Sequence, residues 1–233
     1  MPDTARSALV VLAAGAGTRV GAAVNKVLLP VADATVLGLS LRTALAVEDV
    51  RRIVLVVRPG EEEAVAAAVR PVLGTGEVLV VPGGATRHAS EWSALQALRP
   101  DVEAGEIDVV AIHDGARPLA SPELFAVVID VARDLGGAIP VVPLTGAVDA
   151  SFTPVTDVAG VQTPQAFRAR PLLAAYEQAA ADGFDGTDTA ACLAAYPGDT
   201  GLRIGAVPSS PLNLKVTFAE DVATVDALLT RRG

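Results

Sequence analysis

Short runs of branched apolar residues alternate along the chain with longer stretches whose apolar residues have helical spacing. Buried strands are predicted at residues 8–12, 52–57, 77–81, 108–112 and 138–142. Helices are predicted between them, at residues 35–47, 61–70, 87–98 and 121–134. Strands that alternate with helices form mostly parallel sheets covered on both faces. The pattern therefore predicts an α/β fold, a single domain over residues 1–233 with a mostly parallel, twisted sheet.

Two later segments depart from this alternation. Residues 144–160, here called the arm, are rich in Thr, Pro, Gly and Asp and lack a helical face. The pattern alone favours a surface loop over a β-arm that pairs with another subunit. Near the C-terminus, the run around Lys215 predicts a late strand, and a helix is predicted to begin at Thr217 with Glu220 completing a capping box.

Composition adds a constraint on partners. The chain of 233 residues is 51% hydrophobic but 3% aromatic, so aliphatic side chains must fill its core. Its net charge of −9 argues against a broad binding surface for nucleic acid or for an anionic membrane. We therefore expect neither as a partner, and a polyanionic ligand must meet a local positive pocket. The single cysteine, Cys192, can form no internal disulfide, which favours the reducing cytoplasm.

The apolar start, residues 7–16, has the look of a secretion signal because it follows Arg6. Asp3 weakens the basic start that such a signal needs. The sheet also requires this run as its first strand. We therefore expect a strand.

The glycine-rich turn after the first strand is a candidate phosphate site, because ligands of such sheets bind at the carboxyl ends of strands. Residues 13–17 allow backbone N–H groups to approach phosphate oxygens, and Arg19 adds positive charge. Glycine also serves a tight turn for steric reasons alone. A dinucleotide fingerprint is excluded, since Val20 stands at its third glycine position and the second strand ends in Arg58 rather than an acidic residue.

Lysine is rare in this chain. Of 18 basic residues only Lys26 and Lys215 are lysines. A compact ammonium group suits a phosphate ligand, so both are candidates for binding one. Two solvated surface lysines are the alternative.

The turn after the third predicted strand is a candidate base site. Gly83 and Gly84 would let the backbone press against a flat base, while Arg87 and Ser90 face the same pocket from a helix start. Glycines that merely turn the chain are the alternative.

The fourth predicted strand ends in a candidate carboxylate, Asp114. A carboxylate at this edge can hold a ribose hydroxyl or Mg²⁺, and an ordinary Asp turn is the alternative. We expect the preceding His113 to be a packed residue rather than a ligand.

Six motifs together resemble one family. "LAAGAGTR" with a lysine seven residues later, "GGATRHAS", "HDGARP", "QTPQAF", "GTDTA" and "NLKVT" have the order and spacing of 2-C-methyl-D-erythritol 4-phosphate cytidylyltransferases. The resemblance implies a nucleotidyltransferase fold with a protruding β-arm and a homodimer formed through the arm. It also implies that the acceptor phosphate attacks the α-phosphorus of CTP and releases pyrophosphate. Such chemistry depends on positioning and on charge neutralisation.

The same resemblance implies roles for individual residues. Charge stabilisation during catalysis would come from Arg19, Lys26 and Lys215. CTP would be bound by Ala13, Ala14, Gly15, Ala16, Gly17, Gly83, Gly84, Arg87, Ser90, Asp114 and Gly115. The methylerythritol phosphate would be bound by Arg117, Thr163, Asp188 and Lys215. Mg²⁺ would be held mainly through the triphosphate, with Asp114 as the protein's metal ligand.

The chain departs from the family pattern in four places. Asn25 replaces a proline, Ala85 replaces an acidic residue, and a D-T-x-K stretch is reduced to "PLTGAVDA". Val155 replaces the arginine that grips the acceptor phosphate. Arg168 and Arg170 are candidates to take its place, and Lys215 with Arg117 could carry more of the load. Two alternatives therefore stay open: a cytidylyltransferase for another polyol phosphate such as ribitol 5-phosphate, and a nucleotide-binding paralogue without turnover.

Overall fold

A computed structural model describes residues 7–15, 25–198 and 202–231. Its strands are β1 (Ser7–Leu12), β2 (Pro30–Val31), β3 (Ala34–Thr35), β4 (Val50–Val57), β5 (Leu79–Pro82), β6 (Val109–Asp114), β7 (Gly136–Pro143), β8 (Ala159–Val161), β9 (Gln165–Arg168) and β10 (Arg203–Pro208). Its α-helices are α1 (Val36–Leu45), α2 (Glu62–Leu73), α3 (Arg87–Glu103), α4 (Pro122–Leu135), α5 (Ala169–Asp182), α6 (Thr189–Ala195) and α7 (Glu220–Thr230). All strands and helices of the predicted alternation are present.

One sheet of eight strands organises the fold. Its neighbours run in the order β10, β7, β9, β6, β1, β4 and β5, and β8 pairs with β7. β1 is parallel to β4 and to β6, β5 is parallel to β4, and β10 is parallel to β7. β9 runs antiparallel to both of its neighbours, β6 and β7. The mostly parallel sheet is thus confirmed, while β9 and β10 were not predicted.

The first strand shows why the sheet has helices on both faces. Successive side chains of a strand point to opposite faces. Leu9 and Val11 pack with α1, α2 and α4, whereas Ala8 and Val10 pack with α3, α5 and α6. The apolar run Ser7–Leu12 is therefore a buried strand at the centre of the sheet, as expected.

Two predictions for the C-terminal part are wrong. Residues 214–217, around Lys215, lie outside any strand. The last helix begins at Glu220, and its N-cap, Ala219, makes no side-chain cap bond. Asp221 instead accepts hydrogen bonds from the backbone N–H groups of Thr217 (2.7 Å) and Phe218 (2.8 Å), so the turn before the helix replaces the predicted capping box.

The arm is a loosely paired loop, in which one isolated β-bridge joins Val148 to Pro154 and β8 begins at Ala159. The Leu144 N–H donates to the Val158 carbonyl (3.1 Å) and the Val155 N–H to the Ala147 carbonyl (2.9 Å), which pairs its two sides. Phe152, near its tip, is 84% exposed. The arm is rich in threonine and proline and mostly exposed. It therefore lacks the alternation of apolar and polar residues that would have indicated a strand.

Within the described residues, no helix combines the length and apolar character needed to cross a membrane.

Candidate active site

A cavity of about 450 Å³ opens at the carboxyl ends of β1, β4 and β6. It is lined by Leu12, Ala14, Gly15, Lys26, Val27, Arg58, Gly84, Ala85, Thr86, Arg87, Ser90, Asp114, Ala116 and Lys215. Four of these are basic and, among the described residues that line it, Asp114 is the one acid. In a chain of net charge −9, this is a local positive pocket of the kind that a polyanion requires.

A second cavity of about 390 Å³ lies between α4 and the segment that follows β10. Its described lining contains Glu123 but neither lysine nor arginine. A polyanionic ligand therefore favours the first cavity.

Asp114 is surrounded by cations. Lys215 Nζ donates to Asp114 Oδ2 (2.6 Å), Arg87 Nη2 lies 3.4 Å from Oδ1, and Arg117 Nε lies 3.9 Å from Oδ2. Burial by itself raises the pKa of Asp114, but the charges of Arg87 and Lys215 outweigh it and hold that pKa well below its usual range. The carboxylate is therefore ionised throughout the physiological range.

A buried chain of hydrogen bonds supports the backbone of Asp114. The Asp114 N–H donates to Thr163 Oγ1 (3.0 Å), which lies 3.2 Å from His113 Nδ1. His113 Nε2 lies 3.2 Å from the Arg117 carbonyl oxygen, which can only accept, so this nitrogen carries the proton. Thr163 therefore donates its hydroxyl proton to His113. His113 is a packed residue, as expected.

We expect this chain of hydrogen bonds to make stability depend on pH. Burial lowers the pKa of His113 to about 4, whereas an unfolded histidine titrates near 6.5. The unfolded state binds more protons between these values, so the free energy of unfolding falls as pH falls from about 6.5 to about 4, by roughly 3 kcal/mol from this group. Urea titrations from pH 7.5 to 4.5 measure it. His113→Gln, which cannot titrate, should have a flatter profile, and identical profiles would contradict the assignment.

At three of the predicted site glycines, the surrounding packing leaves no room for a Cβ atom. A Cβ at Gly83 would lie 2.3 Å from Ala14 Cβ, one at Gly84 would lie 2.4 Å from Ala89 Cβ, and one at Gly115 would lie 2.9 Å from the Leu12 carbonyl oxygen. Packing thus explains these glycines even before a ligand is considered. Ser90 likewise has a structural role, since its hydroxyl accepts a hydrogen bond from the Gly84 N–H (3.1 Å) and donates one to the Thr86 carbonyl (2.9 Å).

The structure separates the predicted site residues into three groups. Those that line the cavity are Ala14, Gly15, Lys26, Gly84, Arg87, Ser90, Asp114 and Lys215. Those placed beside or behind its wall are Ala13, Gly83, Gly115, Arg117, Thr163 and Asp188. Ala16, Gly17 and Arg19 lie outside the described residues.

The predicted acceptor residues have structural partners of their own. Arg117 Nη1 donates to the Asn213 carbonyl (2.7 Å), and both hydrogen-bonding directions of the Thr163 hydroxyl are used inside the protein. Asp188 caps α6 by accepting from the Ala191 N–H (2.8 Å). Two of the candidates to replace Val155 are used elsewhere: Arg168, opposite Val109 at the start of β6, donates to the Arg133 carbonyl (2.8 Å), and Arg170 donates to the Glu103 carbonyl (2.9 Å).

Sequence reasoning missed a cluster beside the glycine-rich turn. Asn25 Nδ2 donates to the Ala13 carbonyl (3.1 Å) and to Glu61 Oε2 (2.7 Å). Arg58 Nη1 donates to Glu61 Oε1 (2.9 Å), and its Nη2 donates to the Gly15 carbonyl (2.6 Å). The position of Arg58 at the carboxyl end of β4 was the available signal, but it served only to exclude a ribose carboxylate. Asn25, the departure from proline, is thus integrated into the wall of the cavity.

Comparisons with known proteins match the whole described chain to one family. The family model for IspD, 2-C-methyl-D-erythritol 4-phosphate cytidylyltransferase, matches residues 7–231. A protein of that name from Cereibacter sphaeroides is 36% identical, with 96% of each chain covered. A bifunctional enzyme IspD/IspF from Clavibacter michiganensis is 38% identical, and the match covers 98% of this chain but 56% of that protein.

Solved structures agree with the sequence matches. The 4-diphosphocytidyl-2C-methyl-D-erythritol synthase from Anaerococcus prevotii gives a TM-score of 0.79 at 28% identity, with 98% of this chain and 97% of that chain covered. The 2-C-methyl-D-erythritol 4-phosphate cytidylyltransferase from Thermus thermophilus gives 0.72 at 28% identity, covering 95% and 98%. The chain belongs to the IspD family of 2-C-methyl-D-erythritol 4-phosphate cytidylyltransferases.

Proposed function

We propose that this chain is a cytidylyltransferase that joins CTP and 2-C-methyl-D-erythritol 4-phosphate, releasing pyrophosphate, in non-mevalonate isoprenoid biosynthesis. The observation that carries the proposal is the basic cavity at the carboxyl ends of β1, β4 and β6, in a chain that matches the family over residues 7–231. In the reaction an acceptor phosphate oxygen forms a bond to the α-phosphorus of CTP. The bond from that phosphorus to the bridging oxygen of pyrophosphate breaks.

The cavity divides naturally between the parts of CTP. Gly15, Lys26 and Arg58 form the wall suited to the triphosphate, because they offer backbone and cationic groups. Gly84 and Ser90 lie on the wall proposed for the base. Lys26 and Lys215 would stabilise the negative charge that develops on the phosphates, and Arg19 would contribute from outside the described residues.

A divalent cation fits this site as a companion of the triphosphate. Mg²⁺ is commonly held by one or two carboxylates together with substrate phosphates. Asp114 is a suitable carboxylate, and the described residues contain no group of three acidic, histidine or cysteine side chains that could hold a metal. When bound, the cation would neutralise phosphate charge, and at Asp114 it would compete with Lys215 on Oδ2 and with Arg87 on Oδ1. We propose that Mg²⁺ enters with CTP, and that the enzyme works in the cytoplasm.

The acceptor would lie on the side of Asp114 where Arg117 and Lys215 converge. Arg117 is 11% exposed in its side chain, and its buried Nε faces Asp114 Oδ2 at 3.9 Å, so the guanidinium is anchored beside Asp114. We propose that the arm of a second copy completes this side. Support comes from the exposed apolar residues of the arm, Leu144, Val148 and Phe152.

A pyrophosphate-release assay tests the function. CTP should be used with methylerythritol phosphate, and UTP and ATP should be poor because a site that hydrogen-bonds cytosine leaves polar groups unpaired with another base. Ribitol 5-phosphate serves as the competing acceptor. Release with UTP equal to that with CTP, or with ribitol phosphate above methylerythritol phosphate, would overturn the respective half of the assignment.

Removal of the Glu61 carboxylate should weaken CTP binding. In Glu61→Ala, Arg58 and Asn25 lose their common partner, and hydrogen bonds to charged groups contribute about 1.5 to 3 kcal/mol. We expect the KM for CTP to rise roughly tenfold with a smaller change in kcat. Glu63→Ala is the matched control, since it removes the same charge from an exposed position in the same helical turn. Equal effects of the two substitutions would show that general charge, not the cluster, is responsible.

Val155→Arg should improve use of the acceptor. Val155 is 36% exposed on the arm and cannot hold a phosphate, and one charge-assisted contact contributes roughly 1.5 to 3 kcal/mol. We expect weak activity with a high KM for methylerythritol phosphate in the unmodified protein and a lower KM in the variant. Thr153→Arg, with the same charge added near the tip of the arm, is the control. A low KM without the substitution, or no response to it, would show that the arm does not supply this contact.

A further inference from the structure

Lys215 lies in a segment that is not held by the main sheet. Residues 209–219, all of which the structure describes, belong to no helix or strand. The Lys215 side chain is also 41% exposed, although its Nζ lies 2.6 Å from Asp114 Oδ2. A long lysine side chain has many rotamers, and their loss opposes a single fixed geometry. The backbone that carries Lys215 must therefore be anchored by other contacts.

Anchors lie on both sides of this lysine. Directly after it, Val216 is completely buried, and its N–H donates to the Ala116 carbonyl (2.8 Å). Two residues before it, Asn213 is 4% exposed, and its carbonyl accepts from Arg117 Nη1 (2.7 Å). Lys215 is thus suspended between two points that are attached to the turn after β6.

The side chain of Asn213 adds a second attachment, to the residues that follow β8. Its Nδ2 donates to the Thr163 carbonyl (3.0 Å) and to Gln162 Oε1 (3.1 Å). Gln162 is also buried, its Nε2 donates to the Ser210 carbonyl (3.1 Å), and its Oε1 accepts from Ser209 Oγ (2.7 Å). Because the carbonyl oxygens of Thr163 and Ser210 can only accept, these contacts define the orientation of both amides.

Thr163 connects the two members of the ion pair. Its hydroxyl accepts from the Asp114 N–H (3.0 Å), and its carbonyl accepts from Asn213 Nδ2. The carboxylate and the segment that carries Lys215 are therefore held by one residue, through two different groups. Loss of the Asn213 amide would release the lysine segment while the support of Asp114 remains.

We propose that Asn213 and Gln162 are positioning residues that hold the ammonium group of Lys215 against Asp114. The proposal rests on the proposed function for the chemistry that Lys215 performs. Neither amide residue is among the described residues that line the cavity, so both act through Lys215. A misplacement of about 1 Å can lower the rate of an enzyme by about 100-fold, so the positioning contributes to catalysis.

The position of Lys215 can be measured directly, because the chain contains only two lysines. Labelling with [ε-¹³C]lysine gives two side-chain NMR signals, which Lys215→Arg assigns, and Lys26 is the internal reference. In the unmodified protein we expect restricted motion and unequal Hε chemical shifts for Lys215. Asn213→Leu has nearly the same shape and should give Lys215 the signal of a mobile lysine, and Gln162→Met should do so in part. Ser209→Ala is the matched control, since Gln162 Oε1 keeps its contact with Asn213, and it should leave both signals unchanged.

A double-mutant cycle then tests whether Asn213 acts through Lys215. We expect Asn213→Leu to lower kcat/KM for pyrophosphate release by roughly 10- to 100-fold. In the Lys215→Ala background the same substitution should lower kcat/KM by less than about threefold, because the group that it positions is already absent. A merely structural role would lower kcat/KM equally in the two backgrounds.

The outcomes separate this proposal from the proposed function. Thermal unfolding shows which variants fold, and Gln162→Met supplies the same comparisons if Asn213→Leu does not fold. Unchanged Lys215 signals in the folded variants, or equal kinetic losses with and without Lys215, would overturn the positioning role. If the unmodified protein releases no pyrophosphate with any polyol phosphate, the proposed function is wrong, and the NMR comparison still decides whether the two amides hold Lys215.

Discussion

Lys26→Ala is expected to lower kcat by about 100- to 1,000-fold, or about 2.7 to 4 kcal/mol, while the affinity for CTP changes little. Lys26 begins a short 3₁₀ helix, Lys26–Leu28, whose cap residue Asn25 is buried and bonded to the Ala13 carbonyl. Its backbone is thus held beside the glycine-rich turn, and its side chain lines the cavity. In the proposed reaction, a charge fixed in this way would stabilise the transition state without reorganisation.

Single-turnover and steady-state kinetics with CTP measure this effect. Lys26→Arg should be intermediate, because it keeps the charge but changes its geometry. Arg42→Ala is the matched loss of a cation far from the cavity, where Arg42 pairs with the exposed Asp33, and it should leave kcat unchanged. A Lys26→Ala enzyme with normal kcat, or with losses confined to KM, would show that Lys26 contributes binding alone.

Lys215→Ala should cause a similarly large loss, but in both kcat and KM. Lys215 Nζ lies 2.6 Å from Asp114 Oδ2, and its removal leaves an ionised carboxylate less neutralised in the cavity that is proposed to bind phosphates. We expect kcat/KM to fall by roughly 100- to 1,000-fold, since the less neutralised charge of Asp114 would repel the phosphates in addition to the lost stabilisation.

A double-mutant cycle separates the two contributions to this loss. Asp114→Asn removes the negative charge that Lys215 neutralises. If repulsion by that charge matters, Lys215→Ala should lower kcat/KM less in that background. Additive losses would mean that Lys215 acts on the substrate independently of Asp114. Initial rates at several CTP and acceptor concentrations supply the four values.

The alternation of strands and helices could be predicted because each central element has a strong local pattern. β9 escaped because "QAFR" is four residues long, and β10 because "RIGAVP" is interrupted by glycine and proline and lies at the sheet edge. The direction of β9 also explains the error for Arg168. Because β9 runs antiparallel to β6, Arg168 pairs with Val109, at the end of the sheet away from the cavity.

The site was predictable where a motif places chemistry directly after a strand. Lys26, Arg87, Asp114 and Lys215 were named from motifs, and the structure brings them to one cavity. The cluster around Glu61 depends on contacts between distant parts of the sequence: Asn25 lies 36 positions from Glu61, and Gly15 lies 43 positions from Arg58. No local pattern can reveal contacts of this kind. The hydrogen bond from Thr189 to the buried Glu91 carboxylate escaped for the same reason, since 98 positions separate the two residues in sequence.

Along β7 the strand partner changes from β9 to β8, and between them the Gln162 N–H donates to the Pro140 carbonyl (2.9 Å). β7 pairs with residues 159–161 through β8 and with residues 166–167 through β9, and between them the chain turns inward so that Thr163 reaches Asp114. The arm thus leaves the sheet after β7 and rejoins it through β8. The basic cavity lies elsewhere, at the ends of β1, β4 and β6. Because side chains of the arm such as Leu144, Val148 and Phe152 are exposed, we expect substitutions there to leave the packing on both faces of the sheet undisturbed. If the arm supplies acceptor contacts as proposed, we expect acceptor preference to change with little effect on the fold, and two of the four departures, Val155 and "PLTGAVDA", lie in or next to the arm.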